Sequence, residues 1–281
     1  MRLVPLFLCA FLAMANAAGA QGTRDKNFAL FDAARDGDVA AVRALLTDGA
    51  SVAARNRIGN TPLLYAVRSS DVETVKAVLA AGGDADLGNL NRMTPINTAA
   101  FNGDEEIVAL LLAAGARPER EDNSGKTAIV YAAGNGSVAI VRRLLDAGAA
   151  ADARYGHELT ALMWAAGYGQ APVMRLLIER GAAVDAADDR GRTALMMAAA
   201  AGHAEAVSLL RQAGADPALA DKEGQTLCTL APPPADTIGD SYLLFLGNIL
   251  FFNGLMTLKL VWYRDAVCNA LFFIRKYQNN R

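Results

Sequence analysis

Apolar residues recur three and four places apart in short blocks along most of this chain, as at Val75, Val78 and Leu79 and again at Val141, Leu144 and Leu145. That spacing predicts amphipathic helices with one buried stripe. Each block follows a shorter one that opens on a threonine. Thr61, Thr94, Thr127, Thr160, Thr193 and Thr226 stand at a constant spacing of 33 residues. A fixed period of this size means one supersecondary unit stacked many times rather than a single compact core.

Six units run from about Phe28 to Asp221, and a seventh begins at Thr226 and fails at Pro232. The threonine caps the free N–H groups of a first helix, and Pro62 and Pro95 suit its first turn. Small residues at Ala66, Ala99, Ala132, Ala165 and Ala198 let helices approach closely. Gly37, Gly103, Gly136, Gly169 and Gly202 end the first helix, with Ser70 at that place in one unit. The second helix stops at Gly49, Gly82, Gly115, Gly148, Gly181 or Gly214, each a left-handed stop. A polar stretch with Gly59, Gly125, Gly191 or Gly224 then turns the chain into the next unit.

With its period and its threonine-led openings, Thr-Pro-Leu at Thr61, the chain resembles the ankyrin repeat family over roughly 195 of its 281 residues. The resemblance implies an all-α solenoid of helix–turn–helix pairs joined by β-hairpin loops. The chain departs from the family where its histidine usually stands, a place taken by Leu64, Asn97, Val130, Met163 and Met196. Arg92 and Glu158 replace the turn glycine, which predicts two distorted hairpins, and in the fifth unit Gly156 sits two places earlier.

The ends differ from the repeats. Arg2 precedes an apolar run from Leu3 to Ala15, and Ala18-Gly19-Ala20 offers a cleavage site, so residues 1–20 read as a secretory signal peptide of bacterial type with the periplasm as destination. The repeat array spans 28–231, a Pro-rich linker 232–240, and a hydrophobic tail, expected to be helical, 241–281. Ser241 to Leu258 is free of charge over 18 residues, about 27 Å as a helix. Lys259, Arg264, Arg275, Lys276 and Arg281 follow it, which would place the C-terminus in the cytoplasm. Three readings of the tail stand open: an inner-membrane anchor, a helix capping the last repeat, or a segment of different origin such as a frameshift or fusion. Cys228 and Cys268 lie outside the intact repeats, and their pairing is open.

Net charge is −2 with both signs interspersed, which gives no basic footprint for nucleic acid. No nucleophile–base constellation or zinc-ligand pair appears, so no enzyme, metal or cofactor is expected. His203 reads as a structural residue at the start of a second helix, and the acids at Asp84, Asp86, Asp185, Asp188 and Asp189 as ordinary loop residues.

What remains is the presented surface of a monomeric binding protein. By the resemblance, partner proteins meet the hairpin tips and the exposed side of the first helices, on a concave face. Carried over by place, the tip residues are Arg57, Ile58, Asn60, Leu90, Asn91, Met93, Asn123, Lys126, His157, Leu159, Arg190 and Arg192. The helix-end residues are Arg68, Phe101, Asn102, Asn135 and Tyr168. Ile58, Leu90, Met93 and Leu159 are apolar where a solvated turn would be polar, and Phe101 and Tyr168 add aromatic area near the same face, so units three to five are expected to form the contact centre. Tyr65, Tyr131 and Trp164 share one helical place and are expected to pack between repeats. Two alternatives accompany this reading: a membrane-tethered periplasmic scaffold for a stress or redox enzyme, and an enzyme built on the tail, which the lack of catalytic residues disfavours.

Overall fold

A helix begins directly after the threonine at each register position. The computed structural model describes residues 22–230; the leader, the linker, the hydrophobic tail and the Cys228–Cys268 pairing lie outside the described residues. The chain divides into two compact units, Met1–Ala150 and Ala151–Arg281.

In the first unit, α1 covers 22–36 and is followed by α2 (Val39–Thr47), α3 (Pro62–Arg68), α4 (Val72–Ala80), α5 (Pro95–Asn102), α6 (Glu105–Ala113), α7 (Ala128–Asn135) and α8 (Val138–Asp146). The second unit holds α9 (Ala161–Gly167), α10 (Ala171–Glu179), α11 (Ala194–Ala200), α12 (Ala204–Gln212) and α13 (Leu227–Leu230). The first helix is longer than the repeat predicts, since it is already helical at residue 22 rather than starting at Phe28. In unit 1 first helices stack on first helices, α3 on α5 and α5 on α7, and second helices stack as α2, α4, α6 and α8. In unit 2, α9 packs on α11 and α11 on α13, while α10 packs on α12.

The stacking follows from side-chain size. Ala66, Ala99, Ala132, Ala165 and Ala198 are fully enclosed, which brings helix backbones together without a cavity. Leu63, Ile96, Ile129, Leu162 and Leu195, two places after each threonine, supply the bulk of the core. The threonine hydroxyls of Thr61, Thr94, Thr160 and Thr193 accept from the N–H three places on, at 3.2–3.4 Å. Thr127 keeps its place but makes no such bond.

The family's histidine place is apolar core in four units, with Leu64, Val130, Met163 and Met196 buried. Asn97 is the polar exception. It is buried, and its side-chain amide donates to the Arg120 carbonyl at 3.1 Å, tying its helix to the next loop.

The loops correct two expectations. Among the described residues there is no strand; the only bridges outside helices are the isolated pairs Tyr155–Leu159 and Ala187–Thr193. The loop arms are too short to build a ladder, and side chains take up the N–H groups that a strand would use. Arg92 does not distort its loop. It adopts φ +58°, and Asn89 N–H still reaches the Met93 carbonyl at 3.1 Å, as Asn56 N–H reaches Asn60 in the preceding loop. A side chain pays about 1–2 kcal/mol in this left-handed region, part of which glycine returns as chain entropy. Arg92→Gly is therefore expected to raise stability by about 0.5–1 kcal/mol in urea unfolding; an unchanged or lower midpoint would show that the strain is already relieved.

Candidate functional site

Every turn toward the next repeat, except the one before Thr160, is organised by one side chain five places before the threonine. Asn56 Oδ1 accepts from the N–H groups of Ile58 and Asn60 at 3.0 and 2.9 Å. Asn89 does the same for Asn91 and Met93 at 2.9 and 3.1 Å. Asp122 accepts from Ser124 and Lys126 at 2.7 and 3.0 Å. In the second unit Asp188 accepts from Arg190 and Arg192, and Asp221 from Glu223 and Gln225. These Asx turns hold the loops rigid without strands.

Adjacent tips are linked backbone to backbone. Leu90 N–H donates to the Ile58 carbonyl at 3.1 Å and Asn123 N–H to Asn91 at 3.0 Å. In unit 2, Asp189 N–H donates to His157 at 3.1 Å and Lys222 N–H to Arg190 at 2.9 Å. With the tip backbone bonded internally, the side chains are what the tips present. Ile58 is 55% exposed and Leu90 65%.

Behind these tips in unit 1 lies an aromatic strip. The Tyr131 hydroxyl donates to Asp122 Oδ2 in a short hydrogen bond. Burial, reinforced by that carboxylate, pushes the Tyr131 phenol well above the usual tyrosine range. Phe101 meets Tyr131 edge to face at 5.7 Å, and the Lys126 ammonium lies 5.7 Å from the Tyr131 ring centre. Tyr65 accepts from the Asn56 amide at 2.9 Å and packs on Phe31 of the preceding repeat at 5.6 Å. Tyr65 and Tyr131 thus pack between repeats, whereas Trp164 stacks on Tyr168 of its own repeat at 5.8 Å.

The candidate residues divide by what they already hold. Arg57, Ile58, Arg68, Leu90, Asn91, Phe101 and Asn123 are exposed on unit 1, and Met93 and Lys126 are half-buried. Asn60 is fully buried and accepts from the Asn89 amide at 2.9 Å, so it holds two loops together. Asn102 donates to the Val67 carbonyl at 3.2 Å, and Asn135 donates to the Phe101 carbonyl. Ser69 does the same for Ala34 at 3.3 Å. These side chains satisfy the orphan carbonyls that end the preceding helix, which gives Asn102 and Asn135 a structural role within the stack.

On unit 2, His157, Tyr168 and Arg190 are exposed, and Leu159 and Arg192 are half-buried. Arg192 is engaged, forming two bonds of 3.0 and 2.9 Å with the buried Asp188. The loop before Thr160 is the irregular one: Tyr155 replaces the Asx residue, and His157 and Glu158 both take positive φ, +64° and +60°. His157 Nδ1 lies 2.9 Å from Asp189 Oδ2. Asp189, Arg190, Met196, Met197, Asp221 and Glu223 line a groove of about 410 Å³. His203 Nε2 lies 3.0 Å from the Gly167 carbonyl, a tie to the preceding repeat. Among the described residues no group of three or more His, Cys, Asp or Glu side chains converges as a metal site would require, and no helix is long and apolar enough to cross a membrane.

The Asx register escaped the sequence reading although its signal was present. Asn56, Asn89, Asp122, Asp188 and Asp221 keep the same 33-residue spacing as the threonines, with Asn and Asp interchanging because either supplies the accepting oxygen. Phe28, 52% exposed on α1, was also missed; it precedes the first complete loop and stands where the other units have the register threonine.

A family model described as "Ankyrin repeats (3 copies)" matches residues 71–155 and 148–221, and one described as "Ankyrin repeats (many copies)" matches residues 30–79. No curated protein matches the chain. Among solved structures, the human ASB11 ankyrin repeat domain is similar at a TM-score of 0.69 and 26% identity, covering 76% of this chain and 96% of that one. The ankyrin repeat domain of Bcl-3, described as a unique member of the IkappaB protein family, is similar at a TM-score of 0.64 and 25% identity, covering 73% of this chain and 94% of that one. Repeat register, helix-pair stacking and a family match over more than half of its length together make this chain a member of the ankyrin repeat family.

Proposed function

We propose that this protein is a non-enzymatic interaction module that binds a partner protein through its loop tips and the exposed side of its first helices. The carrying observation is a contrast at the tips and the ends of the first helices. The backbone groups of the tips are bonded internally, while Ile58, Leu90, Phe101 and Tyr168 remain more than half exposed. Rigid, preorganised side chains of this kind bind without the cost of ordering a loop, and aromatic residues among them are typical anchors.

The test is site-specific photocrosslinking in the native host. A photoreactive residue at Leu90 is expected to capture a protein partner, whereas one at Arg142, exposed on the second-helix layer of α8, is not. Equal adduct yields from both positions would remove the tip surface as the site.

The same reading places the protein in the bacterial periplasm, on the strength of the leader at 1–20. N-terminal sequencing of the mature protein is expected to start at Gln21. Fractionation of the full chain against a version ending at Pro234 decides the tether: the tail is an anchor only if the full chain is found with the membrane and the shortened one is soluble.

A further inference from the structure

Ile58, Leu90, Tyr131 and Phe101 belong to one continuous strip of unit 1. Leu90 is bonded to Ile58 through the backbone, and the Asn123 amide donates to the Leu90 carbonyl at 3.2 Å. Asn123 shares its loop with Lys126, which lies over the Tyr131 ring, and Tyr131 meets the edge of Phe101. The strip therefore carries two apolar centres, an aliphatic one at the tips and an aromatic one at the end of α5.

Its outward-facing charge is mainly positive: the carboxylate beside Phe101, Asp104, is half-buried and accepts from the Ser70 hydroxyl and the Asn102 amide. Arg57 at the first tip and Arg68 at the end of α3 are exposed, and neither forms an ion pair among the described residues. Asp122 is buried and bonded to Tyr131 and to its own loop. The places that carry exposed acids in unit 2, Asp189 and Glu223, are filled here by Leu90, Asn91, Asn123 and Ser124. In the first repeat, Asp32 and Asp36 are matched by Arg35. The chain as a whole is slightly acidic at −2, so this local excess of positive charge is a property of the strip.

We propose that this strip binds an acidic segment of the partner protein, with an apolar side chain of that segment seated against Leu90 and Ile58 or against Phe101. The inference rests on the partner-binding reading above and adds the chemistry of the partner. Complementary charge steers encounter and sets specificity, while the apolar anchors hold the complex. A polypeptide fits better than a nucleic acid because the tip centre is aliphatic, whereas single-stranded nucleic acid selects stacked aromatic platforms along a basic groove.

The test uses the full chain and three fluorescent probes followed by anisotropy: a glutamate-rich peptide containing leucine and phenylalanine, the same peptide with lysine for every glutamate, and an oligo-dT of equal charge. The glutamate peptide is expected to bind, and to bind more weakly as salt rises from about 0.05 M to about 0.5 M. The double variant Arg57→Glu/Arg68→Glu is expected to weaken it by about tenfold, and Arg57→Gln/Arg68→Gln by about threefold. Circular dichroism checks that both remain folded, and the glutamine pair carries the test if the reversal does not fold. Arg142→Glu is expected to leave binding unchanged. Equal binding of the lysine peptide, preferential binding of oligo-dT, or unchanged affinity in the folded arginine variants would overturn the proposal. If the acidic probe fails while the Leu90 photoadduct persists, the partner-binding reading stands and the acidic chemistry alone falls.

Discussion

Leu162→Ala is expected to cost about 3 kcal/mol of stability, within the usual range of about 2–5 kcal/mol for emptying a fully packed leucine site. Leu162 is fully enclosed in α9, and α9 packs on both α10 and α11. Truncation removes apolar surface from burial and leaves a cavity that close-packed helices fill only in part. The fully enclosed Ala165 and Ala166 already fix the helix spacing, so little collapse is available. Because repeats gain stability from their neighbours, the loss should appear as lower amide protection in α9 to α12, with the helices of unit 1 less affected. Urea unfolding combined with hydrogen exchange measures both. A loss below about 1 kcal/mol would mean that the site relaxes far more than its packing suggests.

Asp122→Ala is expected to cost about as much, for a different reason. The carboxylate is 4% exposed and accepts from Ser124 N–H, Lys126 N–H and the Tyr131 hydroxyl. Three hydrogen bonds at about 1 kcal/mol each are lost, and two loop N–H groups and a phenol must find water instead. Asp122→Asn keeps the Oδ1 acceptor and should cost only about 1 kcal/mol. Tyr131→Phe removes the third bond alone, and the Asp122→Ala/Tyr131→Phe double variant should be less destabilised than the sum of the two singles, since the pair is coupled.

The pair also predicts a pH dependence. The Tyr131 phenol is raised in the folded state, first by burial and then by Asp122. Its stabilising contribution is therefore fully present below the ordinary tyrosine pKa of about 10 and is lost as pH rises past it, because the unfolded chain ionises first. Tyr131→Phe should flatten the alkaline fall in the unfolding midpoint. An alkaline limb unchanged by this substitution would sink the assignment.

Much of the fold was legible because the repeat writes it several times. Threonine caps, enclosed alanines and helix-ending glycines each serve a local backbone need, so one residue type recurs at one place. Two expectations failed where a side chain did the work of a backbone. The loops were expected to contain strands and, at Arg92, a distortion. Instead the Asx oxygens accept the N–H groups that a strand would pair, and this holds the Arg92 loop in the same geometry as its neighbours.

The candidate surface was legible only by place. Position in the repeat correctly marked Ile58, Leu90, Phe101 and Tyr168 as exposed. It could not separate them from Asn60, Asn102 and Asn135, whose amides are committed to neighbouring repeats. An asparagine looks the same in sequence whether it faces solvent or a carbonyl in the preceding helix, one repeat away.

By itself, then, the sequence determined the repeat unit, its register and its core, since helix caps and apolar spacing act over a few neighbouring residues. The tertiary structure alone decided which polar side chains are engaged in the stack and which are not. That choice depends on contacts about 33 residues apart, as in Asn102 with Val67 or Asn135 with Phe101, and no local pattern encodes them.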